Sequence, residues 1–193
     1  MDQTTVNIFL SSPTEVEEER QAVIDAVAEI RNAGNFKVSL VYWEDTSSGV
    51  PLDANRAPQA TIEEGRLSPN QCQIVIGIFD RKFGSPPGNE FTKLDGTPFQ
   101  SGTEFELDQA FDGFSDRGFP SIVIYRRERP DGEVEALLKN YISKLKLPSG
   151  TSRGIQAYAD SCSFRQRIKK DLEGKIEEVL STCLLYTSDA ADE

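Results

Sequence analysis

Hydrophobic and polar positions along the chain follow two periods in turn, which predicts an alternation of strands and helices. Short, almost wholly apolar runs predict five strands, over residues 6–10, 36–43, 73–79, 120–125 and 155–158. The segments between them carry apolar residues three or four positions apart, and they predict helices beginning near Thr14, Pro58, Ser101, Glu133 and Ser163. Elements in this order pack as a sheet covered by helices.

The alternation predicts an α/β domain with a doubly wound parallel sheet and helices on both faces. The strand over 73–79 is apolar at nearly every position, as expected where both faces of a parallel strand are covered. Five such strands favour a flavodoxin-like fold with strand order 2-1-3-4-5. Ligands bind these sheets where the strand order reverses, at the carboxyl ends of the strands. We therefore expect a crevice between the turn after the first strand and the loop over 80–101.

The helix after the third strand begins with a capping signal. The Ser101 side chain can accept from the backbone N–H of Glu104, whose own side chain can return a bond to the Ser101 backbone. Thr14 and Glu17 predict a second capping box at the first helix. These bonds assign Glu104 a structural role.

Glu106 lies in the same first turns but has no capping role. Its carboxylate borders an apolar stripe formed by Leu107, Phe111 and Phe114. A carboxylate near the start of a helix, at the carboxyl end of a parallel sheet, stands where open α/β folds place their chemistry. Glu106 is therefore the leading candidate for a catalytic residue, and a ligand-binding role or a solvated helix position are the alternatives.

Composition excludes several classes of catalytic and metal site. The chain contains no histidine, which removes Ser-His-Asp triads, Cys-His dyads and histidine-ligated zinc. Cys72 and Cys162 belong to no Cys-x-x-Cys pair, and Cys72 reads as a small core residue. No metal site is expected. The glycine fingerprints of dinucleotide-binding folds and P-loop proteins are also missing from the sequence.

The charge and hydropathy of the chain bound its partners. A formal net charge of −11 argues against nucleic acid as the primary partner, because phosphate backbones bind basic surfaces. No apolar run approaches the roughly 18 residues of a membrane span, and the first residues lack a signal-peptide pattern. We therefore expect a soluble, cytoplasmic protein.

The last eleven residues, 183–193, resemble a translated sequencing adapter rather than a natural protein segment. We assign a single domain to residues 1–182 and expect 183–193 to be a non-native tail. The natural reading frame is accordingly expected to continue beyond residue 182.

Three segments of the chain together resemble the DUF4062 domains, a TIR-like group. They are the Phe-Leu-Ser-Ser-Pro-Thr-Glu-Val-Glu-Glu-Glu-Arg run over 9–20, Asp-Arg-Lys-Phe-Gly over 80–84, and Ser-Gly-Thr-Glu-Phe-Glu over 101–106. The resemblance covers about residues 5–126, and the later elements fit by their order alone. It implies a TIR-type flavodoxin-like fold, often fused ahead of a nucleotide-binding switch ATPase or a repeat array.

The resemblance also implies an activity. In TIR enzymes a glutamate early in the helix after the third strand supports cleavage of the nicotinamide–ribose bond of NAD, and it falls on Glu106. The same run is similar to the GTxxE segment of nucleoside deoxyribosyltransferases, whose glutamate is the glycosidic nucleophile. The resemblance therefore implies an NAD N-glycosidase that becomes active on assembly and belongs to a defence or signalling protein. NAD would be its substrate, and no cofactor is expected.

Two other functions remain open at this point. One is a non-catalytic homotypic interaction module that reports the state of a downstream sensor, since many TIR-like domains signal by self-association. The other is a nucleoside or nucleotide N-glycosidase or deoxyribosyltransferase. Self-association and a downstream ATPase, sensor or repeat domain are the expected partnerships.

Further substrate-binding candidates stand at the predicted crevice: Ser11, Ser12, Trp43, Asp80, Phe83, Ser101 and Thr103. The two serines after the first strand could offer hydroxyls to a phosphate, with plain helix capping as the alternative. The tryptophan could stack on a base or anchor the core. Arg20 is expected to pair with a carboxylate or hold loops together, and the basic run over 126–129 is expected to be a solvated strand end.

Overall fold

The computed structural model describes residues 4–42, 67–145, 151 and 153–189. Five strands in these ranges form one sheet, whose pairs are all parallel. They are β1 (Thr5–Ser11), β2 (Lys37–Val41), β3 (Ile74–Phe79), β4 (Ser121–Arg127) and β5 (Ile155–Tyr158). Their order is β2-β1-β3-β4-β5, which confirms the predicted flavodoxin-like α/β fold.

Four α-helices lie in the described part of the chain: α1 (Glu17–Ala33), α2 (Gly102–Arg117), α3 (Ala136–Lys144) and α4 (Ser161–Asp189). The helix expected after Pro58 falls outside the described residues. The last helix was predicted to end near residue 180 but continues to Asp189, into the segment that resembles an adapter. No helix in the described ranges is long and apolar enough to cross a membrane.

The sheet separates two apolar layers because successive strand residues point to opposite faces. On one face, Ile8, Ile74 and Ile76 pack with the buried sides of α1 and α4. On the other face, Phe9 and Val75 pack with residues of α2 and α3. Side chains of β3 are buried along its whole length, as its apolar sequence predicted.

The start of α1 differs from the predicted capping box. A 3-10 turn over Thr14–Val16 precedes the helix, and Val16 stands at the N-cap without a side-chain cap bond. Glu15 makes the decisive contacts instead. Its Oε1 accepts from the backbone N–H of Arg81 at 2.7 Å and from that of Lys82. The turn after β1 is thereby fastened to the loop after β3.

The long loop before α2 is packed rather than loose. Phe91 and Phe99 both contact Phe105 of α2, with ring centroids 5.0 and 5.1 Å apart. An antiparallel bridge between Thr92 and Pro98 closes a small hairpin within the loop. These contacts seat the loop on the first turns of α2, because aromatic rings bury a large apolar area.

Gly77 sets how closely α2 approaches the sheet. A Cβ atom at Gly77 would lie 3.3 Å from each Leu107 methyl carbon. The missing side chain therefore leaves the space that Leu107, which is completely buried, occupies. Farther along the helix the predicted apolar stripe is wrong: Phe114 is 45% exposed. Only the amino-terminal half of α2 faces the core on this stripe.

We expect Leu107→Ala to lower the free energy of unfolding by about 2–5 kcal/mol, because it opens a cavity where the surroundings cannot collapse. Phe114→Ala on the same helix is the matched control, and we expect it to cost less than about 1 kcal/mol. Urea denaturation of both variants measures the difference. Equal losses would contradict the placement of the two side chains.

Candidate functional site

Glu106 lies at the carboxyl ends of the first and third strands. Ser11 ends β1 and pairs with Gly77 of β3. The Ser11 hydroxyl donates a hydrogen bond to Oε2 of Glu106 at 2.5 Å. Glu106 is buried, with only 3% of its surface exposed. The carboxylate therefore occupies the position at which the strand order reverses, where the crevice was predicted.

The Ser12 side chain contacts the turn that follows β1. Its hydroxyl accepts from Nε of Arg20 at 3.2 Å, and a second Arg20 nitrogen donates to the Pro13 carbonyl at 2.9 Å. Arg20 is itself buried. The two serines therefore have different contacts: Ser11 contacts α2, whereas Ser12 and Arg20 fix the chain between β1 and α1. The contacts of Arg20 confirm its expected role in holding the loop together.

The first turn of α2 is capped nearly as predicted. The Ser101 hydroxyl accepts from the Glu104 N–H at 3.0 Å, which confirms Ser101 as the N-cap. The Glu104 carboxylate accepts from the Gln100 N–H at 2.6 Å, one residue before the N-cap, and its other oxygen pairs with Lys93 at 2.5 Å. Thr103 is buried in the same turn.

Gly84 brings the three resembling segments together. Its φ is +96°, a conformation that favours glycine. A Cβ atom there would lie 3.5 Å from Cβ of Pro13 and 3.7 Å from Cβ of Ser101. The turn after β1, the loop after β3 and the start of α2 therefore meet at Gly84, although they are far apart in sequence.

Asp80 lies on the opposite face of the sheet from Glu106. Arg129 contacts both of its carboxylate oxygens, at 2.8 and 3.0 Å, and Arg127 lies 3.7 Å away. Arg127 also lies 3.8 Å from the buried Glu19 of α1. The structure does not bring Asp80 beside Glu106. The expectation of a solvated end over 126–129 is wrong, because two of these arginines compensate buried carboxylates.

Phe83 belongs to the core. It is 1% exposed, and its ring centroid lies 4.9 Å from that of Tyr141 and 6.3 Å from that of Phe79. Its backbone N–H donates to Glu135 at 2.7 Å. Trp43, the remaining candidate, lies outside the described residues.

The predicted burial of Cys72 is confirmed. Cys72 is fully buried, as expected, and burial raises the pKa of its thiol to about 12. Among the residues that the structure describes, no group of three or more His, Cys, Asp or Glu side chains could hold a metal ion.

Asp108 is a titratable residue that the sequence reading missed. The pKa of its carboxyl is raised from 3.8 to about 6, mainly by burial; the Lys93 charge opposes this shift, and the Glu104 and Asp112 charges add to it. Nothing in the local sequence marks this position, because Asp108 lines a pocket together with residues of α3 and of the loop before α2.

Comparison with known proteins assigns no family. No family model matches the chain, and no curated protein matches it. Among solved structures it is similar to rubredoxin oxygen:oxidoreductase from the anaerobe Desulfovibrio gigas, at 13% sequence identity and a TM-score of 0.35. That match covers 90% of this chain and 37% of the other, so the chain spans little more than a third of that protein. A likeness this distant carries no information about chemistry.

We expect Asp108→Asn to stabilise the protein at pH 8 and to have little effect at pH 4. The folded-state pKa is raised, so the stabilising contribution of the protonated carboxyl is complete below about pH 4 and is lost as the pH rises through 6. Urea titrations measure the difference in unfolding free energy between Asp108→Asn and the unaltered protein. We expect this difference to change by about 1–2 kcal/mol between pH 4 and pH 8, after allowance for solvent screening.

The exposed Asp116, two turns later on α2, supplies the control for this experiment, because its charge is not among those that shift the pKa of Asp108. Asp116→Asn should leave the pH dependence nearly unchanged. A stability difference for Asp108→Asn that is the same at both pH values would contradict the burial of that carboxyl.

Proposed function

We propose that this domain is a TIR-like N-glycosidase that cleaves the nicotinamide–ribose bond of NAD, with Glu106 as its catalytic carboxylate. One observation carries the proposal. A buried carboxylate, held by the Ser11 hydroxyl, stands at the switch point of a flavodoxin-like sheet, where such folds bind their ligands. The three segments that resemble DUF4062 domains also meet, at Gly84.

A single carboxylate suffices for this reaction. The bond between ribose C1′ and the nicotinamide nitrogen breaks, and its electron pair passes to nicotinamide, which leaves as a neutral molecule. Positive charge develops on the ribose as an oxocarbenium-like centre. The Glu106 carboxylate stabilises that charge, water adds to C1′, and the proton of the water passes to solvent. Because the leaving group is already cationic in NAD, no general acid is required, which agrees with a chain that lacks histidine.

Ser11 is the positioning residue for this carboxylate. A hydroxyl that donates to a carboxylate fixes the orientation of that carboxylate. Ser11 is fully buried at the end of β1, so the strand itself holds the donor. Ser12 and Arg20 fix the following turn, and Gly84 holds the β3 loop against it.

The burial of Glu106 supports regulation by assembly. At 3% exposure the residue is closed over by protein, so NAD can reach the carboxylate only after neighbouring segments move. In the proposed function, self-association of the domain drives that movement, in a cytoplasmic defence or signalling protein whose downstream sensor brings copies together.

The same burial favours a second candidate function. A carboxylate that is closed over and hydrogen-bonded to the end of a neighbouring strand also suits a structural role. The domain would then be a non-catalytic homotypic interaction module, and the experiment below separates the two.

We expect Glu106→Gln to reduce NAD consumption and nicotinamide release at least about 100-fold, since it removes the charge that stabilises the transition state. The assay uses the chain concentrated on a scaffold that forces self-association. Glutamine can still accept from Ser11, so the variant should keep its fold. Asp112→Asn, an exposed acidic position on the same helix, controls for the loss of one negative charge.

Turnover that survives in Glu106→Gln would contradict the assignment of the carboxylate. Absence of turnover in both proteins, with equal folding and self-association, would leave the interaction module. Deoxyribosyl transfer from a 2′-deoxynucleoside, without NAD consumption, would instead identify the domain as a nucleoside deoxyribosyltransferase that uses the same carboxylate.

We expect Ser11→Ala to lower kcat about 10-fold and to alter KM less, because the hydroxyl orients Glu106 and contacts no substrate. Ser11→Thr, which retains the hydroxyl, should recover part of the rate. Steady-state NAD hydrolysis by the assembled protein measures both variants. An unchanged kcat for Ser11→Ala would remove the positioning role.

A further inference from the structure

Two successive backbone N–H groups after β3 bind the same carboxylate oxygen. The N–H of Arg81 donates to Oε1 of Glu15 at 2.7 Å, and the N–H of Lys82 donates to the same oxygen. The next N–H, that of Phe83, donates to Oε2 of Glu135 at 2.7 Å. Three consecutive donors of this loop therefore bind carboxylates from other segments, which is the arrangement of an anion-binding loop.

This loop lies at the edge of the sheet where flavodoxin-like folds bind their ligands. It follows Phe79, the last residue of β3, and the strand order reverses between β3 and the neighbouring β1. Glu15 belongs to the 3-10 turn that follows β1, so its carboxylate spans the two sides of that reversal. A negative group of the protein itself therefore occupies two N–H donors at the ligand edge of the sheet.

The carboxylate of Glu15 is held in a way that an external anion can replace. Both of its hydrogen bonds lie at the exposed surface, and both use a single oxygen. The side chains of Arg81 and Lys82 are exposed, and neither makes an ion pair or a hydrogen bond with any residue that the structure describes. A phosphate group carries more charge than a carboxylate, and hydrogen bonds to an ionised acceptor are the strong ones.

We propose that the backbone N–H groups of Arg81 and Lys82 form a binding site for a phosphate group, and that Glu15 occupies this site as an internal competitor. Phosphate displaces the carboxylate and accepts from the same two donors. Its displacement also removes the bonds that fasten the turn after β1 to the loop after β3. Inorganic phosphate species and the diphosphate of a nucleotide share this chemistry. The site requires no reaction at Glu106.

Inorganic pyrophosphate and ADP are the probes, and each is titrated against the whole chain at constant ionic strength while the backbone amide chemical shifts are followed. We expect the amides of Arg81 and Lys82 to shift with either probe. Tighter binding of ADP identifies the diphosphate of a nucleotide as the ligand, and equal or weaker binding identifies an inorganic phosphate species. Shifts confined to other parts of the chain, or no saturable shift with either probe, would overturn the proposal.

Glu15→Ala removes the competing carboxylate and gives the sharpest variant. We expect the affinity for pyrophosphate to rise about tenfold, because the two N–H groups no longer exchange one anion for another. The unfolding temperature should fall in the absence of the probe, since both donors lose their acceptor, and should recover when pyrophosphate is added. Glu15→Gln keeps an acceptor oxygen without the charge, so it should keep the fold and bind pyrophosphate with intermediate affinity.

Glu18→Ala is the matched control, because Glu18 is an exposed glutamate in the first turn of α1. It should leave the affinity for pyrophosphate nearly unchanged. An equal gain in the Glu15 and Glu18 variants would show a general effect of net charge and would overturn the proposal, as would an unchanged affinity in both Glu15 variants. Glu106→Gln should bind pyrophosphate as the unaltered protein does, so the phosphate site and the proposed NAD cleavage can fail separately.

Discussion

The close packing of Leu107 against Gly77 is the constraint on which the rest of this molecule depends. Glycine in the middle of β3 leaves room for two methyl groups that a Cβ atom would meet at 3.3 Å. This contact sets the depth of α2 on the sheet, because interiors pack too densely for the helix to slide. With α2 at that depth, Glu106 reaches the hydroxyl of Ser11, and Asp108 lies along the groove toward α3.

The sheet also divides the buried charges into two systems that do not mix. Glu106 and Ser11 lie on the face that carries α2, whereas Asp80, Glu19 and Arg127 lie on the face that carries α1. Successive residues of a strand point to opposite faces of the sheet, so two strand residues that are an odd number of positions apart lie on opposite faces. The first system joins α2 to the end of β1 by a hydrogen bond, and the second joins β4 to α1 and to the end of β3 by ion pairs.

Much of the fold could be predicted because it rests on local pattern. Apolar runs located the strands, and the alternation with helices led to the observed strand order. The N-cap at Ser101 was predictable for the same reason, since capping joins residues three positions apart. Thr14 failed as a cap because a tertiary partner competed: the neighbouring Glu15 accepts from the loop after β3, and a 3-10 turn forms there instead.

The sequence by itself determined the class of fold, the edge of the sheet where a ligand is expected, and Glu106 as the leading carboxylate. These follow from periodicity and from residue order, which are local properties of the chain. Only the tertiary structure decided that Ser11 contacts Glu106 and Ser12 contacts Arg20, that Asp80 pairs with Arg129, and that Tyr141 and Asp108 line the same cleft. The physical reason is that burial and pairing depend on side chains that are far apart in sequence, such as Ser11 and Glu106, which lie 95 positions apart, and no local pattern records them.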